Sequence, residues 1–222
     1  MKTAILVDGG FYRRRAYAAY GDRTPTERAD ELFSYCKRHL TSHGENSELY
    51  RIFYYDCPPM STQVYHPLIK KNINFARSST FAWTTEFFAE LKKKRKMALR
   101  MGELSEQQAH YVLKNSILNK LLRCEIKLED LSENDFLFRV DQKGVDMRIG
   151  LDIATLSYKK LVDQIVLISG DSDFVSAAKL ARREGIDFIL DALHTNIKPN
   201  LFEHIDGLRT CDNAFRPVLN VS

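Results

Sequence analysis

The chain has 222 residues, 44% of them hydrophobic, and a formal net charge of +4. That length suits one domain, or one domain with a sizeable insertion, and the apolar content argues against wholesale disorder. No apolar run approaches the roughly 20 residues of a membrane span. The N-terminus lacks a signal-peptide pattern, because its apolar run ends at Asp8. Cys36, Cys57, Cys124 and Cys211 form no CxxC pair, so neither zinc nor a disulfide framework is expected, and the protein is expected to be cytoplasmic.

In chain order, Ala4–Val7 reads as a fully buried strand. Phe11–Tyr20 reads as a helix closed by Gly21, and Thr26–His39 as a helix with Leu32, Phe33, Tyr35 and Cys36 facing inward. Glu48–Tyr55 is an aromatic-rich strand broken by Asp56-Cys57-Pro58-Pro59. From Met60 to about Asp130 no clear strand is seen. Phe81–Met101 is a long helical candidate carrying Lys92-Lys93-Lys94-Arg95-Lys96, with Gly102 as its stop. Ser105 and Gln108 form a capping-box pair that would open a helix running to about Cys124. This block reads as a basic helical insertion at about residues 60–130 within a single domain.

The sheet pattern then resumes. Phe136–Val140 is a short strand, Val145–Leu156 a helix, Gln164–Ser169 a strand, Phe174–Glu184 a helix stopped by Gly185, and Ile186–Leu190 a strand. Strands alternating with helices over crossovers this long imply an α/β fold with a mainly parallel sheet and helices on both faces.

Charge is uneven. Between Met60 and Glu129 there are thirteen basic residues against six acidic ones, a net +7, while the remainder is −3. A phosphate-bearing partner suits that basic segment, as does an ordinary solvated helix face. Trp83, Phe81, Phe87 and Phe88 precede the lysine run, where aromatic rings could stack on bases, although core packing is the plainer fate of the phenylalanines.

Chemistry concentrates in acidic strand ends. Asp8 follows the first strand, Asp171 and Asp173 follow a later one in SGDSDF, and Asp146 opens a helix in KGVD. In open α/β sheets, sites gather beyond the carboxyl ends of the strands. Carboxylates brought within a few ångströms repel one another, so they protonate or bind a cation, and oxygen-only donors favour Mg²⁺ or Mn²⁺. Asp is also a common N-cap, so any one of these residues could serve the helix alone. Asp152, about two-thirds of a turn from Asp146, is expected to act as a structural partner behind the site, as is Ser172. Arg13-Arg14-Arg15 rises from the Asp8 turn, where a guanidinium grips phosphate, and Lys143 precedes Asp146.

Other chemistries lack their motifs. Ser169 is not in GxSxG, and neither GxxxxGK[ST] nor GxGxxG occurs. The six histidines His39, His43, His66, His110, His194 and His204 form no HExxH. A haloacid-dehalogenase-type phosphatase needs Asp at position 10, which is Gly10.

AILVDGGFYRRR (Ala4–Arg15), KGVDMRIGLDIATLS (Lys143–Ser157), VLISGDSDFVSAAKLARREGIDFIL (Val166–Leu190) and Thr210–Phe215 together resemble the NYN-domain family, the LabA-like branch of the PIN-like nuclease superfamily. The resemblance implies a Rossmann-like three-layer α/β/α sandwich and a Mg²⁺- or Mn²⁺-dependent ribonuclease-type site. Catalytic Asp8, Asp146, Asp171 and Asp173 would form it, the first three holding metal. Arg13, Arg14, Lys143 and Lys92, Lys93, Lys94, Arg95 and Lys96 would bind the substrate. RNA is the implied partner, with single-stranded DNA not excluded, and aromatic surface on the insertion could support a homodimer. Many relatives carry Asn three residues after the first Asp, where this chain has Phe11. A non-catalytic RNA- or protein-binding module that keeps the acidic pocket is the rival reading.

Overall fold

The computed structural model describes residues 1–42 and 45–216; His43 lies outside them. The chain splits into two compact units. One comprises Met1–Cys57, Glu86–Gly102 and the chain from Gly144 on; the other comprises Pro58–Thr85 and Glu103–Lys143.

The first unit is built on a six-stranded sheet: β1 (Lys2–Asp8), β2 (Glu48–Asp56), β3 (Met97–Met101), β4 (Gln164–Ile168), β5 (Asp187–Asp191) and β6 (Gly207–Leu208). Their spatial order is β6-β5-β4-β1-β2-β3 and every pair is parallel. This is the doubly wound order, in which the winding direction reverses between β1 and β4. The middle of β1 and all of β4 are buried, as a parallel sheet covered on both faces requires.

Most of that cover comes from α1 (Gly9–Tyr20), α2 (Pro25–Arg38), α3 (Ser79–Lys93), α4 (Val145–Tyr158) and α5 (Val175–Arg183), and the short helix Pro199–Phe202 adds Leu201 to the core. Ala4, Leu6, Phe53, Tyr55, Ile165, Leu167, Phe188 and Leu190 form one core with Ile149 and Ile153 of α4 and Ala178 and Ala181 of α5. The alternate strand residues face the other way. There Tyr54 meets Phe87 and Phe88 of α3, with ring centroids 5.7 and 6.2 Å apart, and Asp191 accepts a hydrogen bond from Tyr35 of α2. The result is a three-layer α/β/α sandwich. Helix α2 begins with a full capping box between Thr24 and Glu27 and Pro25 in its first turn.

The middle of the chain departs from the helical expectation. Helix α3 stops at Lys93, Lys96 adopts a positive φ of 61°, and Met97–Met101 is a strand beside β2. Met, Ala, Leu and Arg are good helix formers, so only the free edge of β2 explains why this segment extends: tertiary pairing overrides propensity. The capping pair at Ser105 and Gln108 opens only a 3₁₀ turn, Glu106–Gln108. His110–Leu113 then pairs antiparallel with Phe136–Arg139. The second unit also holds the pairs Gln63–His66 with Lys71–Asn74 and Glu103–Leu104 with Gln142–Lys143, and one eight-residue helix, Asn115–Leu122. It is therefore mostly hairpin rather than helix. Its own small core stacks His66 on Tyr111 and Phe75 on Phe138, each with centroids 4.3 Å apart.

One contact sets the start of α1. A Cβ at Gly9 would stand 2.5 Å from the Tyr54 hydroxyl and 2.7 Å from Asp56 Oδ2. Only glycine lets the helix begin directly on those two buried groups. Gly9→Ala is expected to destabilise the protein by about 1–3 kcal/mol, as overpacking does, read as a lower denaturation midpoint in urea. An unchanged midpoint would mean that α1 does not rest on Tyr54.

Candidate active site

The carboxyl ends of β1 and β4 lie side by side, with Val7 level with Ile168. Asp8, at the end of β1, caps α1: its Oδ1 accepts from the Phe11 N–H at 3.0 Å. Ser169, fully buried just beyond β4, donates its hydroxyl to Asp8 Oδ2 at 3.3 Å and accepts the Asp171 N–H at 3.2 Å. Asp171 in turn caps the 3₁₀ turn Ser172–Phe174, its Oδ1 accepting the Asp173 N–H at 3.0 Å. A chain of hydrogen bonds therefore joins the two acidic turns. Both caps that the sequence allowed are real, and the capping residues also share one site.

Asp146, in the first turn of α4, completes the cluster. Burial raises its pKa above the ordinary carboxylate range, and the negative charges of Asp171, Asp8 and Asp173 raise it further. Asp146 therefore lies near enough to Asp8, Asp171 and Asp173 to feel the charge of each. Asp146 has no hydrogen-bond or ion-pair partner among the described residues. Asp8 is also raised, first by burial and then by nearby Asp56, against the Phe11 N–H, the Ser169 hydroxyl and Arg14, which pull it down. Among the described residues no three His, Cys, Asp or Glu side chains form a ready cation cage.

Asp56 was not expected here. It ends β2, buried beside Asp8, and all its oxygens are engaged. Oδ1 accepts from the Cys57 N–H at 2.8 Å and Arg13 at 3.2 Å; Oδ2 accepts from Tyr54 at 3.0 Å and pairs with Arg13 at 3.0 Å. Strand-then-Asp in FYYD is the pattern of the first strand, and that signal was available. Ser169 carried none, since a serine outside a nucleophile motif looks neutral. The hydroxyl linking the two turns belongs to Ser169, while Ser172 lies half-buried in the 3₁₀ turn that Asp171 caps.

The basic residues sort differently from the expectation. Arg13 is committed to Asp56. Arg15 donates to the carbonyls of Leu193 and Phe215 at 2.9 and 2.5 Å, tying down the closing segment. Arg14 alone of the three stays exposed, near enough to lower the pKa of Asp8 and Asp56. The run Lys92–Lys96 spans the last two residues of α3 and the turn entering β3, at the amino-terminal edge of the sheet. The acidic site is at the opposite edge, roughly 15–20 Å away along the strands. Lys94 pairs with Asp30, Lys93 with Glu90, and Lys96 with the Leu49 carbonyl. This run does not border the site. Lys143 belongs to the second unit, where it lines a polar recess with Thr62, Ser105 and Gln108.

Asp152 holds the Tyr55 hydroxyl at 2.8 Å and Arg100 Nε at 3.0 Å. Tyr55 is the register partner of Asp8, so Asp152 holds the residue beside Asp8 without touching Asp8 itself. Phe11 also gains an explanation. A Cβ at Gly170 would come 2.5 Å from its ring, so the ring packs on the glycine of SGDSDF and braces that turn. The residue in place of Asn is a packing element.

The raised carboxylates give a pH signature. A group whose folded pKa exceeds its unfolded value disfavours folding once both forms are ionised, and the penalty vanishes below the ordinary value of about 3.9. Asp146→Asn in EDTA should therefore raise the melting temperature at pH 7. Solvent screening at this exposed position limits the gain to about 1–3 °C, and it should disappear below about pH 4. An equal gain at both pH values would exclude charge repulsion as its source.

A crystal structure of a protein of unknown function from Vibrio parahaemolyticus RIMD 2210633 matches 96% of this chain and 94% of its own, with TM-score 0.50 and 15% sequence identity. At that identity the likeness shows the fold alone. No match was found among curated proteins. No helix among the described residues is long and apolar enough to cross a membrane. Asp8 precedes the span that the family comparison covers, whereas Asp146, Asp171 and Asp173 fall inside it. That span, residues 71–199, is more than half of the chain and matches the NYN domain: the chain belongs to the NYN domain family.

Proposed function

We propose that this chain is a Mg²⁺- or Mn²⁺-dependent nuclease of the LabA-like branch that hydrolyses RNA phosphodiester bonds. The observation that supports the reading is that Ser169 joins the acidic turns of Asp8 and Asp171 at the switch point of the sheet, with Asp146 near enough to feel the charges of Asp8, Asp171 and Asp173. The family generally includes nucleases and nucleic-acid binders, which supports the substrate class.

The donor set suits a hard cation. It is all oxygen, it is open, and Asp146 has no competing hydrogen bond. The lack of a closed cage fits Mg²⁺, which keeps several waters and is bound through one or two carboxylates plus substrate phosphates. Asp8, Asp146 and Asp171 would hold the ion, which when bound supplies an activated water and offsets charge on the phosphoryl oxygens. Asp173 would orient the attacking water by accepting a hydrogen bond from its O–H. Ser169 keeps Asp8 and Asp171 in register. Arg14, free and adjacent, would grip a phosphate oxygen bidentately.

The test is a cleavage assay on single-stranded RNA in Mn²⁺. Asp8→Asn and Asp171→Asn should each cut at least about a hundredfold more slowly, on the scale of losing one electrostatic contact in an active site, and EDTA should stop the parent. Variants as fast as the parent would remove the catalytic assignment. RNA bound with equal affinity but never cut would favour the non-catalytic module, which the open carboxylate arrangement and Phe11 also suit.

Arg14→Ala is expected to weaken RNA binding about tenfold, on the scale of one charge-assisted pair, whereas Arg95→Ala at the far edge should leave it within twofold. Filter binding at two salt concentrations reads both. The reverse ranking would move the phosphate path to the lysine turn.

A further inference from the structure

Helices α4 and α5 lie side by side on one face of the sheet, and between them runs a groove of about 300 Å³. Gly150, Phe174, Ala177 and Leu180 line it together with Asp146 and Asp173. The groove is therefore continuous with the acidic cluster. Its walls are mainly apolar, and its volume is at the small end of ligand pockets.

Gly150 is the informative residue. It sits inside α4, where glycine costs roughly 1 kcal/mol relative to alanine. At Gly9, Gly170 and Gly207 an added Cβ would strike a neighbour at 2.8 Å or less, and Gly144 needs a positive φ of 80°. Neither reason applies at Gly150: a Cβ there meets nothing within 4 Å, and the residue is helical. What the missing side chain provides is space in the groove.

A flat group with apolar faces fits that space, and a nucleobase attached to a phosphodiester has that form. We propose that the groove receives the base of a nucleotide adjoining the phosphate that the acidic cluster addresses, with Gly150 as its floor. This inference rests on the nuclease reading and adds which part of the strand is recognised. The ribose-phosphate backbone lies toward Asp146 and Asp173; the base lies away from them, along Ala177 and Leu180.

The experiment measures binding, not turnover. In the uncleaving Asp8→Asn background, fluorescence anisotropy compares a labelled single-stranded RNA with an abasic ribose-phosphate strand of equal length. Gly150→Leu is expected to weaken the base-bearing strand about five- to tenfold and leave the abasic strand unchanged, so the difference between strands isolates the coupling. Gly150→Ala, which adds one methyl group and favours the helix, should raise the melting temperature yet weaken the base-bearing strand about twofold. If both variants fold and bind the two strands as the background does, the groove does not hold a base, while the nuclease reading stands. If the background itself binds no RNA, the nuclease reading and this inference both fall.

Discussion

The parallel pairing of β1 with β4 is the constraint on which the site depends. Their registry sets Val7 beside Ile168, and the next residues along, Asp8 and Ser169, then meet at 3.3 Å. Side chains alternate along a strand, so a slip of one residue would turn Asp8 to the opposite face. Ser169 would then lose its acceptor, and Asp171 its link through Ser169 to β1. The reversal of winding between these strands also leaves a crevice there that no crossover helix fills. The acidic turns occupy the one edge position where the backbone does not cover its own ends.

The strand-end aspartates differ in how fully the fold satisfies their oxygens. Asp56 ends β2 and Asp191 ends β5, and both are buried with saturated oxygens. Asp191 accepts from Leu193 N–H at 2.9 Å and Thr210 Oγ1 at 2.7 Å on one oxygen, and meets Tyr35 and His39 Nε2 on the other. Those bonds knit α2 and the closing segment to the sheet, and they leave nothing over for a ligand. Asp8 and Asp171 each spend part of their capacity on a cap, and Asp146 spends none. Asp146 is exposed, so its unmet oxygens cost the fold little, whereas the buried Asp56 and Asp191 are stable only because their oxygens are all engaged.

That contrast also explains what could be read in advance. The apolar runs Ala4–Val7 and Gln164–Ile168 announced buried parallel strands, and the acidic turns after them announced a shared edge. Nothing local distinguishes the aspartate of FYYD from that of ILVD; satisfaction of their oxygens is a property of Arg13, Tyr54 and the fold. Nor does MALRM look like a strand, because its extension answers to the unpaired edge of β2. Phe11 and Gly170 are far apart in the chain, so their mutual fit was invisible to either residue alone. Arg13, Arg14 and Arg15 look identical in sequence, yet helical rotation of about 100° per residue sends them to three different fates.

A count of charges along the chain does not say where they lie in the fold. The run Lys92–Lys96 is dense in sequence but largely consumed by Asp30, Glu90 and the Leu49 carbonyl, at the wrong edge of the sheet. Beside the cluster the first unit leaves Arg14 as the exposed guanidinium that acts on Asp8. One such cation cannot offset Asp8, Asp146, Asp171 and Asp173, and two like charges about 4 Å apart repel by roughly 4 kcal/mol at a surface-like effective dielectric. A phosphodiester approaching that edge would meet net repulsion unless the carboxylates were first neutralised. Crowded carboxylates are relieved in general either by a proton or by a bound cation.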